Sequence, residues 1–200
     1  MPSLSPAEAK AAERHRWRSL RRSQSAEQRA TASRLICSRI VDQPIFQRVT
    51  HIAAYLALSE EVNLSGLLDR CQALGKQIWV PRVTDQHMVF AAYDPRERGA
   101  LVKSRVGTYQ PKPEAPVRPT QRLDLVLLPV LAFTRRGDRL GMGGGYYDRT
   151  FSFMLPTRPG SGPELGGVAF TVQEAERLPS DPWDVPLHHV ATQQEWIDCK

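Results

Sequence analysis

The chain has 200 residues, of which 41% are hydrophobic and 24% charged, an ordinary composition for a globular protein that buries one core. Its longest apolar run, residues 125–133, is too short to cross a bilayer, and the first residues lack the apolar centre of a secretory signal. The three cysteines lie far apart, which argues against a disulfide framework or a structural zinc site and predicts a cytoplasmic location.

Two helices are predicted at the start of the chain. Ser5–Glu8 and Ser25–Gln28 both have the pattern of a capping box. In this motif the serine side chain accepts from the backbone N–H of the fourth residue, whose own side chain accepts from the serine N–H. The helices should run to about Arg22 and Val41. We expect residues 1–41 to pack on the rest of the chain.

The positive charge lies almost wholly in this segment. Residues 1–39 hold nine Lys and Arg against three Asp and Glu, whereas the remaining residues hold eighteen of each. Lys10, Arg14 and Arg18 recur every four residues, so they share one helix face and could converge on one anion. Such an arm can bind nucleic acid, a membrane surface or a phosphorylated molecule. Most of its arginines are interpreted as a solvated face, and Lys10 is expected to be exposed.

A strand, a helix and a strand follow in order. Val49–Leu58 is a predicted buried strand, Asn63 and Gly75 are predicted to bound a helix, and Gln77–Val83 is the next predicted strand. A further strand is predicted at 88–93. This spacing is typical of a βαβ unit and predicts a mainly parallel sheet.

The second half of the chain alternates loops with core elements. Residues 96–122 are rich in proline and are predicted to be an extended surface segment. Residues 123–133 have the strongest strand pattern, and a polar turn and a short helix should follow. Residues 158–167 are predicted to be a flexible surface loop. Late short strands are predicted at 167–172 and 188–192.

The stretch RLGMGGGYYDRTF, Arg139–Phe151, has four glycines within five positions. Glycine is costly to order, so such a cluster usually has a structural or functional reason. Backbone N–H groups that follow a strand and precede a helix can form an anion site. The spacing matches neither GxxxxGK[ST] nor GxGxxG, so the residues alone leave a phosphate-holding loop and a structural turn equally open.

Four further side chains are candidates, each with an ordinary alternative. Asp148 could hold Mg²⁺ on a nucleotide, but a carboxylate is also common in the first turn of a helix. Asp184 lies in a proline-flanked turn, where aspartate often caps its own backbone. Glu61 is placed to bind a polar heterocycle and Tyr109 to stack on a flat ring. An exposed acid and a packing tyrosine are the alternatives for these two.

LPVLAFTRRGDRLGMGGGYYDRTF resembles the signature of the 5-formyltetrahydrofolate cyclo-ligase family. The resemblance covers nearly the whole chain, through the Lys10 and Arg14 pair and the segments SAEQ, YLALSEEVN, IWVPRV and VQEAERLPSDPWDVPL. That family converts 5-formyltetrahydrofolate and ATP to 5,10-methenyltetrahydrofolate, ADP and phosphate, with Mg²⁺. The resemblance implies an α/β fold: a three-layer α/β/α sandwich with a mostly parallel central sheet, in a single domain over residues 1–200.

The resemblance also implies positions for the site. Lys10 and Arg14 match the basic pair that contacts ATP. The positions that match the ATP loop are Arg139, Leu140, Gly141, Met142, Gly143, Gly144, Gly145, Tyr146 and Tyr147. The positions that match the folate site are Leu56, Glu61, Tyr109, Met142, Gly143, Gly144, Gly145 and Tyr146. The positions that match the magnesium ligands are Asp148 and Asp184.

ATP and 5-formyltetrahydrofolate are the expected partners, with Mg²⁺ as cofactor. A monomer is expected, with neither nucleic acid nor a membrane as partner. Two alternatives stay open: a non-catalytic nucleic-acid binder that uses the basic first helix, and an ATP-dependent enzyme of the same fold with another substrate. Some relatives carry lysine where this chain has Gly144, so the loop should rely more on its backbone.

Overall fold

A computed structural model describes residues 6–84, 87–104, 107–155 and 162–199, with side chains from residue 8 onward. The helices are α1 (Pro6–Arg22), α2 (Ala26–Val41), α3 (Pro44–Arg48), α4 (Ser65–Ala73) and α5 (Tyr146–Phe151). The strands are β1 (His51–Ala53), β2 (Gln77–Val83), β3 (Met88–Ala92), β4 (Leu101–Lys103), β5 (Tyr109–Pro111), β6 (Val117–Arg118), β7 (Leu125–Pro129), β8 (Ala132–Phe133), β9 (Arg139–Leu140), β10 (Glu164–Val168), β11 (His189–Ala191) and β12 (Trp196–Asp198). Short 3₁₀ turns lie at Thr120–Arg122, Ser152–Met154 and Thr171–Gln173.

Eight strands form the central sheet, in the order β12-β11-β10-β7-β1-β2-β3-β6. The five strands from β11 to β2 are parallel, whereas β12, β3 and β6 pair antiparallel at the two sides. Two small hairpins, β4–β5 and β8–β9, stand outside this sheet. The predicted mostly parallel sheet is confirmed, and its parallel strands all end at the edge where the loops carrying the candidate residues begin.

Both faces of the sheet are covered. Leu125 and Leu127 of β7 belong to one buried cluster with Phe46 of α3, while Val126 of the same strand belongs to a second cluster with Phe151 of α5. This alternation places apolar side chains on both sides, as expected for a strand that is buried on two faces. Fully burying each such side chain contributes about 1.5–3 kcal/mol to the stability of the fold.

The local helix signals hold where the structure describes them. The Gln28 N–H donates to Ser25 Oγ at 3.1 Å and the Ser25 N–H donates to Gln28 Oε1 at 2.8 Å, so the predicted capping box is present. Ser5 lies outside the described residues. Asn63 Oδ1 accepts from the Ser65 N–H at 2.9 Å, one residue earlier than a regular cap, and Gly75 (φ 70°) ends the helix.

Some predicted boundaries were wrong. The strand predicted over Val49–Leu58 is limited to β1, because the chain leaves the sheet after Ala53 and residues 57–59 are exposed. The surface loop predicted over 158–167 is wrong for residues 164–167, which belong to the inner strand β10; residues 158–161 lie outside the described part. The sequence pattern did not reveal α3, β12 or the hairpin within 96–122.

Gly137 in the β8–β9 hairpin offers a stability test. Its φ is +91°, and a Cβ there would lie 2.4 Å from the Leu187 carbonyl oxygen. Gly137→Ala should therefore lower the free energy of unfolding by about 2–3 kcal/mol, through both backbone strain and the clash. Gly75 also has a positive φ but open space, so Gly75→Ala should cost only about 1 kcal/mol. Urea unfolding measures both, and equal losses would contradict the clash.

Candidate active site

Helix α1 runs along the whole candidate site. Lys10, Arg14, Arg18 and Arg21 share one face, as the spacing predicted for the first three, and each reaches a different partner. The face is therefore turned toward the body of the protein rather than toward solvent. The interpretation of most α1 arginines as solvated is wrong for Arg21, whose side chain is 1% exposed.

Lys10 is held between two carboxylates. Its Nζ atom lies 2.6 Å from Asp181 Oδ2 and 2.6 Å from Asp184 Oδ2, and its side chain is only 12% exposed. The expectation of an exposed lysine was therefore wrong. Burial opposes the charged amine, but the bonds to Asp181 and Asp184 outweigh it and raise the pKa of Lys10. Asp181 was not singled out from the sequence, because nothing local distinguishes it from other turn residues.

The glycine loop, residues 141–145, lies against the next two cations of α1. Arg14 Nε donates to the Gly141 carbonyl at 3.1 Å, and Arg18 Nη2 lies 3.7 Å from Met142 Sδ. Gly143 has φ +99°, and a Cβ there would lie 3.3 Å from the Arg14 guanidinium carbon. Residues 141–144 are exposed. The glycines thus allow close approach of the loop to Arg14 while its backbone stays open to a ligand.

The end of the glycine loop is fixed by Arg149. Its Nη2 atom donates to the Gly144 carbonyl at 2.8 Å, and its guanidinium lies 5.1 Å from the centre of the Tyr146 ring. Gly145 adopts φ +63°, and a Cβ there would lie 2.7 Å from Arg149 Nη1. An arginine from α5 therefore stabilises this part of the loop.

Arg139 and Asp148 form the second ion pair of the site. Arg139 Nη2 donates to Asp148 Oδ1 at 2.6 Å, and the arginine side chain is 7% exposed. The same carboxylate oxygen accepts from the Val185 N–H at 3.1 Å, which ties α5 to the loop of Asp184. Arg139 Nη1 is buried and has no hydrogen-bond partner within the described residues. A buried, unpartnered donor is costly unless a ligand satisfies it. Leu140, beside Arg139, is buried in the core with Trp17.

Leu56, Glu61 and Tyr109 line one cavity of about 420 Å³. The volume is in the range of small-molecule sites. Glu61 is 8% exposed and Tyr109 is 62% exposed, so the carboxylate lies deep and the ring lies at the mouth. Glu61 Oε2 accepts from the Leu58 N–H at 2.9 Å. Burial raises the pKa of the Glu61 carboxyl, and the Arg21 charge partly opposes that rise.

Tyr147 follows the glycine loop at the start of α5 and is influenced by charges from both parts of the site. Burial and then the Glu61 charge raise the pKa of Tyr147, whereas the Arg139 charge lowers it. Tyr146 points elsewhere and lines a different cavity of about 300 Å³ with Met88 and Arg118. Met142, Gly143, Gly144 and Gly145 do not line the cavity of Glu61. The folate positions implied for the loop are thus not brought together with Leu56, Glu61 and Tyr109.

The chemistry of Asp148 and Asp184 fits a magnesium ion on a nucleotide. Within the described residues, Asp148 Oδ2 and Asp184 Oδ1 accept no hydrogen bond, so each carboxylate keeps one oxygen for a cation. No group of three or more His, Cys, Asp or Glu in the described part could hold a metal by itself. Magnesium with a nucleotide needs only one or two carboxylates, since phosphates and waters complete its shell.

Comparison with known proteins gives a consistent result. A family model described as the 5-formyltetrahydrofolate cyclo-ligase family matches residues 6–193. The Escherichia coli 5-formyltetrahydrofolate cyclo-ligase is 31% identical over 181 residues, which cover 88% of this chain and 95% of that protein. The Aquifex aeolicus 5,10-methenyltetrahydrofolate synthetase structure superimposes with a TM-score of 0.81 at 26% identity, over 96% of this chain and 93% of that one. The Mycoplasma pneumoniae synthetase structure, at 22% identity and a TM-score of 0.72, covers 92% and 98% and shows the shared fold.

Proposed function

The chain belongs to the 5-formyltetrahydrofolate cyclo-ligase family, and we infer from this membership that it converts 5-formyltetrahydrofolate and ATP to 5,10-methenyltetrahydrofolate, ADP and phosphate. One structural observation supports this most directly. Helix α1 links the two parts of the site: Arg14 contacts the glycine loop, and Arg21 of the same helix lies beside Glu61 of the cavity that Leu56 and Tyr109 also line. The comparisons give no support to a nucleic-acid binder or to another substrate.

The reaction needs positioning more than a protein nucleophile. A formamide carbon is a poor electrophile because its nitrogen lone pair is delocalised into the carbonyl. When the formyl oxygen attacks the γ-phosphorus, ADP leaves and the oxygen becomes a good leaving group. The folate N10 then attacks the formyl carbon, the C–O bond breaks with release of phosphate, and N10 loses its proton. Alignment of these atoms and neutralisation of phosphoryl charge are the work left to the protein.

We propose that the phosphates lie along the glycine loop. Arg14 bonds a carbonyl of that loop, Arg139 precedes the loop in the chain, and Lys10 lies one turn before Arg14 on α1, so these three are the cations proposed to meet the phosphates. The exposed backbone of residues 141–144 offers N–H groups. Fixed donors of this kind stabilise charge as it develops. Leu140, Tyr146 and Tyr147 flank the glycine loop. Leu140 anchors its start in the core, and the two tyrosine rings pack at its end.

Asp148 and Asp184 would hold the magnesium ion through their free carboxylate oxygens. When bound, the ion neutralises charge on the β- and γ-phosphates. Asp184 already forms an ion pair with Lys10, and Asp148 forms one with Arg139. Each proposed metal ligand is therefore held in place by a cation of the site. The lysine and arginine therefore orient the carboxylates as well as contribute charge.

The folate should occupy the cavity of about 420 Å³. The ring system offers N–H donors that match a carboxylate, which places it at Glu61, while Leu56 supplies an apolar wall and Tyr109 covers the mouth. Residues 142–146 would meet the folate only where the formyl group approaches the phosphates. We further propose a single domain over residues 1–200, a monomer, a cytoplasmic location and no nucleic-acid partner. None of the described helices is long and apolar enough to cross a membrane.

The wild-type protein tests this directly. With ATP, Mg²⁺ and 5-formyltetrahydrofolate, we expect the near-ultraviolet absorbance of the methenyl product to grow with one ADP formed per product. Omission of ATP or Mg²⁺ should stop the growth. Absence of product together with absence of folate-dependent ATP hydrolysis would refute the assignment.

A further inference from the structure

Arg21 is a buried arginine with an incomplete set of partners. It lies in the last turn of α1, and its side chain is 1% exposed. Its Nη2 atom donates to Glu60 Oε1 at 2.7 Å, its Nη1 atom lies 3.7 Å from Glu61 Oε1, and its Nε atom is buried without a partner within the described residues. Burying a guanidinium is costly, and a pair of neutral side chains could join α1 to the segment of Glu60 and Glu61 at a lower cost in stability. Stability alone therefore does not explain an arginine at this position.

The position of Arg21 matters because of the oxygen that it faces. Glu61 Oε2 is engaged by the Leu58 N–H, whereas Oε1 accepts no hydrogen bond within the described residues. At 3.7 Å, Arg21 Nη1 is too far to bond Oε1 but close enough to stabilise its charge. Oε1 is therefore an acceptor that is left available to a donor in the cavity that Glu61 lines.

We propose that Arg21 is a positioning residue that acts through Glu61. Its charge stabilises the carboxylate form and keeps Oε1 available to the cavity, and so sets the affinity for the folate without contacting either substrate. This inference rests on the proposed cyclo-ligase function. Glu60 supports this role, because its bond to Arg21 Nη2 holds the guanidinium in an orientation in which Nη1 lies nearest to Glu61.

The charged and titratable groups around Glu61 come from four segments. Arg21 approaches from α1, Glu60 from the same loop, Tyr55 from the segment after β1 and Tyr147 from α5. Burial and Glu60 favour the protonated carboxyl, and the Leu58 N–H and Arg21 favour the carboxylate. Loss of Arg21 removes the cation, so the pKa of Glu61 should rise further and the acid limb of folate kcat/KM should move to higher pH.

The test compares Arg21→Met with Arg22→Met in the full chain. Arg22 also pairs with Glu60 but is 62% exposed and has no contact with Glu61, so it is the matched control. For Arg21→Met we expect the KM for 5-formyltetrahydrofolate to rise by about tenfold, with kcat and the KM for ATP within about twofold of wild type. Arg21→Lys should show a smaller rise, because an ammonium keeps the charge but not the fork geometry. Arg22→Met should behave as wild type.

Equal folate KM values for Arg21→Met and Arg22→Met would overturn the proposal. Equal rises of the folate KM and the ATP KM in Arg21→Met would also overturn it, because they indicate that Arg21 only supports the structure. If circular dichroism shows that Arg21→Met is unfolded, Arg21→Lys decides: a raised folate KM supports the proposal and an unchanged one overturns it. A wild-type protein that makes no product refutes the cyclo-ligase function instead. In that case the dissociation constants of the same variants for 5-formyltetrahydrofolate decide the role of Arg21.

Discussion

Lys10→Met is expected to lower kcat/KM for ATP by about 100- to 1000-fold, the loss typical when one preorganised charge donor is removed. The structure gives two reasons for so large an effect. The amine is the cation nearest to Asp184, and it is fixed by two bonds of 2.6 Å before any ligand arrives. The substitution therefore removes a charge and also frees a carboxylate proposed to hold Mg²⁺. Steady-state kinetics with ATP and Mg²⁺ varied separately measures both effects.

The matched control for Lys10→Met is Arg16→Met. Arg16 also lies on α1 and also carries one positive charge, but its side chain is 68% exposed, and its guanidinium contacts only neighbours on the same helix, Glu13 at 3.6 Å and the Trp17 ring at 5.1 Å, among the described residues. If overall helix charge attracted the nucleotide, both variants would lose activity to a similar degree. We expect kcat/KM for ATP in Arg16→Met to stay within about twofold of the wild-type value, because exposed charges contribute little. Comparable losses in the two variants would contradict a specific role for Lys10.

Lys10→Met should remain folded, although not for the reason that the sequence suggested. The lysine is not on the surface, but Asp181 and Asp184 keep 26% and 19% exposure and so can be hydrated after the amine is lost. We expect the free energy of unfolding to fall by about 1–2 kcal/mol at neutral pH.

The elements predicted correctly were those whose signals are local. The capping box at Ser25, the seven residues of β2 and the stop at Gly75 each depend on neighbours within a few positions. The first residues of β10 were missed, and the strand was predicted to begin only at residue 167, because ELGGV contains two glycines, which indicate a turn when taken alone. Their reason is non-local: a Cβ on Gly167 would lie 2.6 Å from a methyl group of Leu187.

The same distinction holds for the site. Helical spacing predicted that Lys10 and Arg14 share a face, and the resemblance implied that both contact ATP, which stays a prediction. In the structure Arg14 contacts Gly141 of the glycine loop. Spacing could not predict that Lys10 pairs with residues more than 170 positions away, or that Arg21 is buried against Glu60. Ion pairs between distant segments depend on the tertiary fold, and no pattern along the chain records them.

Arg139→Met should cause the largest combined loss of activity and stability. We expect kcat to fall by about 1000-fold and the free energy of unfolding to fall by about 2–4 kcal/mol. The guanidinium is 7% exposed and bonds Asp148 at 2.6 Å, so its removal leaves a carboxylate in a half-buried position without its cation. Activity at saturating substrates and urea unfolding at neutral pH measure the two losses.

Asp148→Asn separates the two roles of this pair. An amide oxygen can still accept from the Val185 N–H, so the link between α5 and the loop of Asp184 should survive while the charge is lost. We therefore expect a smaller loss of stability than in Arg139→Met, together with a higher requirement for Mg²⁺. An unchanged Mg²⁺ requirement would argue that Asp148 only neutralises Arg139 and does not hold the metal.

Arg135→Met is the control for Arg139→Met, because Arg135 lies on the same β8–β9 hairpin and also pairs with carboxylates. It contacts Glu174 at 2.7 Å, but its side chain is 54% exposed, so water replaces the lost partner. Its activity and unfolding should match those of wild type. If Arg135→Met lost activity to the same degree, the effect at Arg139 would come from a disturbed hairpin. A selective loss at Arg139 would instead support a specific role of its guanidinium in the site.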